Sequence, residues 1–232
     1  INHLQNFIVE TAKIGRAHLK QLQLAMPLQQ LNILELNKHK QDYSALIAPL
    51  KAGQDMGLIS DCGCPAVADP GSRVVNIAHQ MGFNVVPLVG PSSILLSLMA
   101  SGLNGQNFSF LGYLPAEPTA RKAKLKLLEQ TILKQGTTQI FIEAPFRNQH
   151  LFDALLSNLN PEIRLCVGIN LMTNEQQIIS HAIHEWKRKP LKLDNESKAG
   201  ELVEKWEQLN QEFSQLTKID VLGRFGITEV DG

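Results

Sequence analysis

The sequence predicts an α/β protein of two domains, and the sheet of the N-terminal domain is expected to be mostly parallel. Short apolar runs of strand length alternate with segments of helical periodicity, an order typical of a parallel sheet covered by helices. Turn-rich loops follow two of these runs. After Pro115 the chain becomes polar and basic, and Pro115 and Pro118 indicate a boundary. We therefore expect domains at 1–115 and 116–232.

The elements of the N-terminal half follow from local patterns. Apolar runs bounded by turn residues predict strands, whereas Tyr43, Leu46 and Leu50 recur at helical spacing. Gly82 and Gly102 mark the ends of two helices. The expected strands are 7–9, 32–36, 56–60, 84–89 and 108–114, and the expected helices are 10–22, 42–52, 73–81 and 94–101.

The C-terminal half alternates in a similar way until Pro190, where the sequence becomes highly charged. Strands are predicted at 139–142 and 164–169 and within 173–180, and helices from Thr119, after the loop at 143–147, and at 181–188. Farther on, one amphipathic helix is predicted at 196–216 and one strand in the tail after it.

Composition excludes several classes of protein. The chain has 232 residues, is 44% hydrophobic, and carries 22 Lys plus Arg against 22 Asp plus Glu. With no net charge, any nucleic-acid site must be a local patch. Three cysteines give no disulfide framework and favour a reducing, cytoplasmic setting. No apolar run reaches the roughly 20 residues of a membrane span. Because the chain begins at Ile1, we expect that residues before it are missing.

Two loops at predicted strand ends are the first candidate site. Residues 60–71 and 90–93 leave the carboxyl ends of strands, where open parallel sheets bind ligands. Gly63 and Gly90 allow a close approach of the backbone. The loops also offer a carboxylate and two hydroxyls, on Asp61, Ser92 and Ser93. Tight turns without a ligand remain the alternative interpretation for either loop alone.

Cys62 and Cys64 do not have the spacing of a metal or redox pair. One residue separates them, whereas zinc and disulfide-exchange motifs place two or more residues between the cysteines. The third cysteine, Cys166, lies in a predicted strand. We interpret the two thiols as small fillers of a loop, and we predict no metal site.

Two charged groups leave alternatives open. Glu143 and Arg147 follow a strand end and either pair with each other or face a cleft. A basic run on a predicted helix is either a solvated face or a patch that contacts phosphates. It consists of Arg121, Lys122, Lys124 and Lys126.

Several motifs in order resemble the tetrapyrrole methylase superfamily of class III methyltransferases. The segments GLISDCGCPAVADPG, VVPLVGPSS, FLGYLP and IFIEAPFR are most similar to the branch that methylates a ribose 2′-hydroxyl of small-subunit ribosomal RNA. The matching positions are 60–65, 69–71, 89–91, 112–115 and 143–147. The agreement extends over roughly half the chain, from about Gln54 to about Asp153.

The resemblance implies S-adenosylmethionine as cofactor, bound in a cleft between the two domains. The cofactor-binding positions that it implies are Asp61, Gly63, Cys64, Pro65, Gly90, Ser92 and Ser93. Candidates for positioning the substrate are Lys13, Arg121, Lys122, Glu143 and Arg147. No catalytic base is assigned. Cys62 and Cys64 replace the alanine and threonine of the branch, which are similarly small.

The chain departs from the branch in three segments. The first strand of the family, with its Pro-Thr-Pro-Ile-Gly-Asn-Leu loop, has no counterpart here. Its Glu-Asp-Thr-Arg segment becomes residues 10–13, ETAK, and its Ala-Arg-Glu-Leu-Thr-Lys segment becomes residues 169–174, INLMTN. Beyond Pro190 there is no resemblance.

Three functions follow as hypotheses. The leading one is S-adenosylmethionine-dependent methylation of a ribose 2′-hydroxyl of small-subunit ribosomal RNA, by a cytoplasmic homodimer without a membrane contact. Methylation of a tetrapyrrole or another small molecule is the second, and zero net charge favours it. The third is a non-catalytic homologue that binds the cofactor or RNA, which the altered charged segments favour.

Overall fold

The computed structural model describes residues 3–22, 24–36 and 42–193. The strands are β1 (Asn6–Val9), β2 (Asn32–Glu35), β3 (Met56–Ile59), β4 (Phe108–Tyr113), β5 (Thr138–Ile142), β6 (Arg164–Ile169) and β7 (Gln177–Ala182). The α-helices are α1 (Ala12–Gln21), α2 (Tyr43–Leu46), α3 (Ala48–Lys51), α4 (Ser72–Gln80), α5 (Ser93–Ser101), α6 (Pro118–Gln135), α7 (Asn148–Asn158) and α8 (Ile183–Arg188). The predicted helix at 196–216 and the tail strand lie outside the described residues.

Three strands of the N-terminal half form a parallel sheet in the order β2-β1-β3. In its register, Val9 is opposite both Glu35 and Ile59, so all three strands end at the same edge. The helices α1 and α2–α3 connect the strands, as parallel pairing requires. The predicted parallel character of this sheet is therefore confirmed.

Alternation along β1 explains why both faces of this sheet are covered. Successive side chains of a strand point to opposite faces. Phe7 and Val9 pack with Leu19 of α1, while Ile8 packs on the other face with Leu46 and Val74 of α2 and α4. The central strand is buried at every position.

From β4 onward, the described residues form two smaller sheets and a separate core. The strands β4 and β5 pair in parallel, and β6 and β7 pair antiparallel. Trp186 of α8 lies at the centre of this core, with its indole N–H donating to the Leu165 carbonyl at 2.9 Å and its ring edge-to-face with Phe152 at 5.3 Å. The helix α5 packs against β5, β6 and β7 and so lies with the sheets of this part of the chain.

The predicted strand at 84–89 is wrong, because this segment has no strand pairing. Val86 is 67% exposed, and Val89 is 94% exposed. Pro87 has no N–H to donate to a neighbouring strand, which weakens any backbone hydrogen bonding with that strand. An apolar pattern alone is therefore not sufficient for strand pairing.

Two other boundaries differ from the predictions. The helix predicted at 42–52 is interrupted at Ile47, since Pro49 cannot donate to the Ala45 carbonyl and its ring crowds that turn. His181 belongs to β7 and not to the following helix, because it pairs with Leu165.

Among the helices of the described ranges there is no candidate for a membrane-spanning segment, since none combines sufficient length with sufficient hydropathy.

Replacing Gly15 by alanine tests the packing of α1 on the sheet. Its Cβ would lie 2.5 Å from Val9 Cγ1 and 2.7 Å from Val9 Cβ, and the latter atom cannot rotate away. Alanine normally stabilises a helix by about 1 kcal/mol over glycine, but overpacking costs about 1–3 kcal/mol. We expect Gly15→Ala to lower the free energy of unfolding in urea. Gly105→Ala, at a position with no atom within 4 Å, is the control, and a more stable Gly15→Ala protein would contradict this packing.

Candidate functional site

The candidate site begins where the strands of the parallel sheet end together. Thr11 follows β1 and Asp61 follows β3, and these two strands are direct neighbours. The carboxylate of Asp61 accepts hydrogen bonds from the Thr11 backbone N–H at 3.0 Å and from the Thr11 hydroxyl at 2.6 Å. This double contact ties the start of α1 to the start of the loop at 60–71.

A second carboxylate reinforces the same helix terminus. Glu35, at the end of β2, accepts from the Ala12 N–H at 2.7 Å. The first N–H groups of a helix have no partner within the helix and favour negative charge. Carboxylates from both neighbouring strands therefore fix the first turn of α1, and His18 of this helix places Nε2 3.2 Å from the Asp61 carbonyl oxygen.

Internal hydrogen bonds hold the loop at 60–71 in a compact turn. The Ser60 hydroxyl donates to the Cys62 carbonyl at 2.8 Å. Asp69 Oδ1 accepts from the N–H groups of Ala66 at 3.0 Å and Gly71 at 2.6 Å. The loop thus keeps its shape through its own side chains.

The backbone of this loop enters the left-handed region three times. Gly63 has φ +76°, and no atom lies within 4 Å of the position of a Cβ there. Ala66 and Ala68 have φ 67° and 55°, a conformation that costs a non-glycine residue roughly 1–2 kcal/mol. Such strain is concentrated at functional sites, and Gly63 presents bare backbone to open space.

The two predicted cofactor loops are in contact. Cys64 Sγ donates to the Pro91 carbonyl at 3.4 Å and lies 3.8 Å from the Gly90 carbonyl. Ser92 accepts from the Leu95 N–H at 3.5 Å and caps α5, whereas Ser93, the first residue of that helix, is exposed. The structure therefore brings together the Gly63 and Gly90 loops, with Pro65 exposed beside them.

The environment of Cys62 disfavours a thiolate. Partial burial, together with the negative charges of Asp61 and Glu10, raises the pKa of this thiol. Among the residues that the structure describes, no three His, Cys, Asp or Glu side chains are placed to hold a metal ion.

Glu143 and Arg147 form an ion pair at the ends of β4 and β5. Glu143 Oε1 lies 2.6 Å from an Arg147 guanidinium nitrogen and also accepts from the Ala144 N–H at 2.8 Å. The Glu143 side chain is 5% exposed. The structure shows the first of the two predicted alternatives, and the guanidinium additionally lies near the rings of Tyr113 and Phe146.

The basic run lies on α6, but it does not form one face. At 3.6 residues per turn, Lys122 and Lys126 share one exposed side. Arg121 stands four residues before the buried Leu125 and so lies along the packed stripe. Lys124 is on the opposite side from Lys122. Lys13 is exposed on the first turn of α1.

Four residues that shape these surroundings are not among the site residues that the sequence predicts. They are His18, Glu35, Tyr113 and Phe146. Glu35 lies within the predicted strand at 32–36, and Tyr113 and Phe146 lie within the matching motifs at 112–115 and 143–147. The contacts of His18, Glu35 and Tyr113 join residues far apart in the chain, which local patterns do not reveal.

Curated relatives match most of this chain. The protein named ribosomal RNA small subunit methyltransferase I of Vibrio cholerae is 36% identical over 173 residues, which are 72% of this chain and 57% of that protein. Its namesake in Mesorhizobium japonicum is 40% identical over 126 residues, with shares of 54% and 42%. The namesake in Bacillus subtilis is 32% identical over 155 residues, with shares of 66% and 51%. The chain spans about half the length of the curated relatives it matches.

Among solved structures, the methyltransferase CobJ has a TM-score of 0.50 and 14% sequence identity, covering 78% of this chain and 77% of that one. This likeness concerns the fold alone. No model of a protein family matches the chain.

Replacing Thr11 by valine tests the tie between α1 and the loop at 60–71. The Thr11 side chain makes no capping bond to its own helix, so the variant removes only the hydrogen bond to the Asp61 carboxylate. Hydrogen bonds to charged groups contribute about 1.5–3 kcal/mol, and we expect the free energy of unfolding to fall by about 1–2 kcal/mol because the site is partly exposed. Thr131→Val, which loses an exposed bond within α6, is the matched control. Equal losses in the two variants would contradict the tie.

Proposed function

From the homology of this chain with the proteins named ribosomal RNA small subunit methyltransferase I, we propose that it acts as an S-adenosylmethionine-dependent methyltransferase on small-subunit ribosomal RNA. The proposed acceptor is a ribose 2′-hydroxyl. The observation that carries the proposal is the identity of 36% over 173 residues, which are 72% of this chain. Neither alternative hypothesis has comparable support.

The two loops offer open backbone and a hydroxyl group, which suit the binding of the proposed cofactor. S-adenosylmethionine, when bound, supplies a methyl group on a sulfonium, which is a good leaving group. Gly63 and Gly90 leave open space above the backbone, and the exposed Ser93 offers a hydroxyl. We propose that these residues, with Asp61, Cys64, Pro65 and Ser92, form the cofactor site.

Within that site, the residues have different tasks. The Asp61 carboxylate is occupied by Thr11 and so acts by fixing the loop. Cys64 holds the two loops against each other. The rate then comes mainly from alignment of the acceptor hydroxyl with the methyl group, since fixed geometry supplies much of the barrier reduction in such a displacement. No side chain is assigned as a base.

Substrate contacts are proposed for exposed or half-buried cations on α1, on α6 and after β5. Lys13 lies two residues after Thr11, which the Asp61 bond holds at the loop. Arg147 keeps its orientation through Glu143. On α6, Lys122 and Lys126 are exposed on one side of the helix, and the half-buried Arg121, along the packed stripe of the same helix, is the third candidate.

We further propose that the chain is divided into two α/β domains. It is also proposed to form a homodimer and to act in the cytoplasm, the compartment that contains the small ribosomal subunit. Separate cores support the division, and the packing of α5 on β5, β6 and β7 favours a boundary before Pro115. The exposed apolar side chains of Val86, Leu88 and Val89 support a partner surface. Sedimentation of the chain as a 25.7 kDa species alone would rule out the dimer.

Replacing Gly63 by valine tests the function and the site together. The branched side chain would occupy the space proposed for the cofactor. We expect wild-type protein to transfer tritiated methyl groups from S-adenosylmethionine to ribose in small ribosomal subunits. Gly63→Val should lose this activity and bind S-adenosylhomocysteine at least about tenfold more weakly, a difference of about 1.4 kcal/mol.

The matched control is Gly82→Val. Gly82 has the same φ of +76° and equally open space, so both variants carry the same backbone strain, but Gly82 follows α4 away from the loops. Unchanged cofactor affinity in a folded Gly63→Val protein would overturn the site. Labelling of bases in place of ribose, or of no nucleoside at all, would overturn the proposed reaction.

Replacing Lys122 and Lys126 by glutamine tests the basic side of α6. Each lost phosphate contact should reduce the slope of log affinity against log salt by about 0.7 to 0.9. We expect the double variant to bind small-subunit ribosomal RNA more weakly with a flatter salt dependence, while its affinity for S-adenosylhomocysteine stays unchanged. A variant of Lys20 on α1 and Lys187 on α8, two exposed lysines away from α6, is the control in filter-binding titrations. A wild-type slope in the Lys122 and Lys126 variant would show a solvated helix face.

A further inference from the structure

Two exposed aromatic rings lie near one guanidinium at the carboxyl ends of β4 and β5. Arg147 Cζ lies 5.9 Å from the centroid of the Tyr113 ring and 5.6 Å from that of Phe146. Phe146 is 71% exposed and Tyr113 is 58% exposed. Large aromatic side chains are usually buried or paired, so this surface, the Tyr113–Phe146 surface, calls for a reason other than packing.

A backbone irregularity places Tyr113 there. Phe110 is opposite Ile140, but Tyr113 is opposite Ile142, so two residues of β4 face a single residue of β5. Gly112, one of those two, has φ +65°. Such a bulge redirects the side chain that follows and is frequent beside functional sites. The chain therefore departs from a regular strand at the residue that presents the ring.

An acidic partner holds the guanidinium that lies near these rings. Glu143, almost completely buried, contacts Arg147 at 2.6 Å. Glu143 Oε2 and Arg147 Nε are nevertheless buried without a hydrogen-bond partner. An ion pair with unsatisfied atoms is a poor stabilising device. Its clear effect is to orient the planar guanidinium beside the rings, which makes Glu143 a positioning residue.

We propose that the Tyr113–Phe146 surface binds an unpaired nucleobase of the RNA substrate by stacking. Sequence-specific RNA recognition relies on unstacked bases that lie on aromatic rings or on the guanidinium plane of arginine, and this surface offers both. A protein without net charge gains little RNA affinity from its overall field, so a stacking contact has greater weight here. The inference rests on the proposed function and adds to it a residue-level contact with the substrate.

The test compares alanine variants of both rings with a conservative variant and a distant control. Phe146→Ala and Tyr113→Ala remove exposed rings, so the fold should be retained. Phe146→Trp keeps a stacking surface. Phe108→Ala removes an exposed ring at the opposite end of β4. RNA affinity is measured by filter binding at two salt concentrations, with an unmodified transcript of small-subunit ribosomal RNA. Cofactor-site affinity is measured by calorimetry with S-adenosylhomocysteine.

We expect each alanine variant to bind the transcript about tenfold more weakly, with the salt slope unchanged because no charge is lost. Phe146→Trp and Phe108→Ala should bind as the wild type does, and the affinity for S-adenosylhomocysteine should be the same in all. This pattern differs from that of lysine variants, which change the slope.

Three results would overturn the inference. Wild-type RNA affinity in both alanine variants, with methyl transfer by the wild type intact, would refute stacking while leaving the proposed function in place. Weaker binding of S-adenosylhomocysteine in Phe146→Ala would assign the surface to the adenine of the cofactor. A wild-type protein that neither binds nor methylates the transcript or the small subunit would refute the inference together with the proposed function.

Discussion

The carboxylate of Asp61, which accepts two hydrogen bonds from Thr11, is the interaction on which the candidate site depends. Parallel pairing of β1 and β3 brings these two residues side by side. Asp61 then fixes the first turn of α1 and the first residues of the loop at 60–71 together. From this loop Cys64 reaches the Gly90 turn, so the position of one carboxylate influences both loops.

Other features of the described residues lower the free energy of unfolding, and each of them lies at the end of a strand or in the segment that follows it. Ala66 and Ala68 adopt left-handed backbone angles, and the Glu143–Arg147 pair leaves buried atoms unsatisfied. Exposed rings stand over the same pair. Proteins break local rules of this kind mainly where function requires it. Their grouping at the carboxyl ends of parallel strands agrees with the rule for ligand sites in α/β sheets.

Local patterns in the sequence predicted what depends on local physics. The apolar runs of β1 to β3 and the turn residues after Ile59 indicated the parallel sheet and its loop, and the ordered motifs indicated the methyltransferase family whose named members proved similar. The segment at 84–89 has a strand-like pattern but no partner, and pairing is a property of the fold and not of one segment. The Thr11–Asp61 bond spans 50 residues, and the direction of Tyr113 depends on a bulge opposite β5. Neither follows from spacing along the chain.

The central claim is that the loops at 60–71 and 90–93 hold S-adenosylmethionine. A crystal structure of the chain with S-adenosylhomocysteine tests it most directly, since it needs no RNA and no turnover. We expect the ligand to lie against the backbone of Gly63 and Gly90 and within hydrogen-bond distance of the Ser93 hydroxyl, with the Asp61–Thr11 bonds intact. A ligand bound elsewhere, or clear empty loops at a saturating concentration, would contradict the claim.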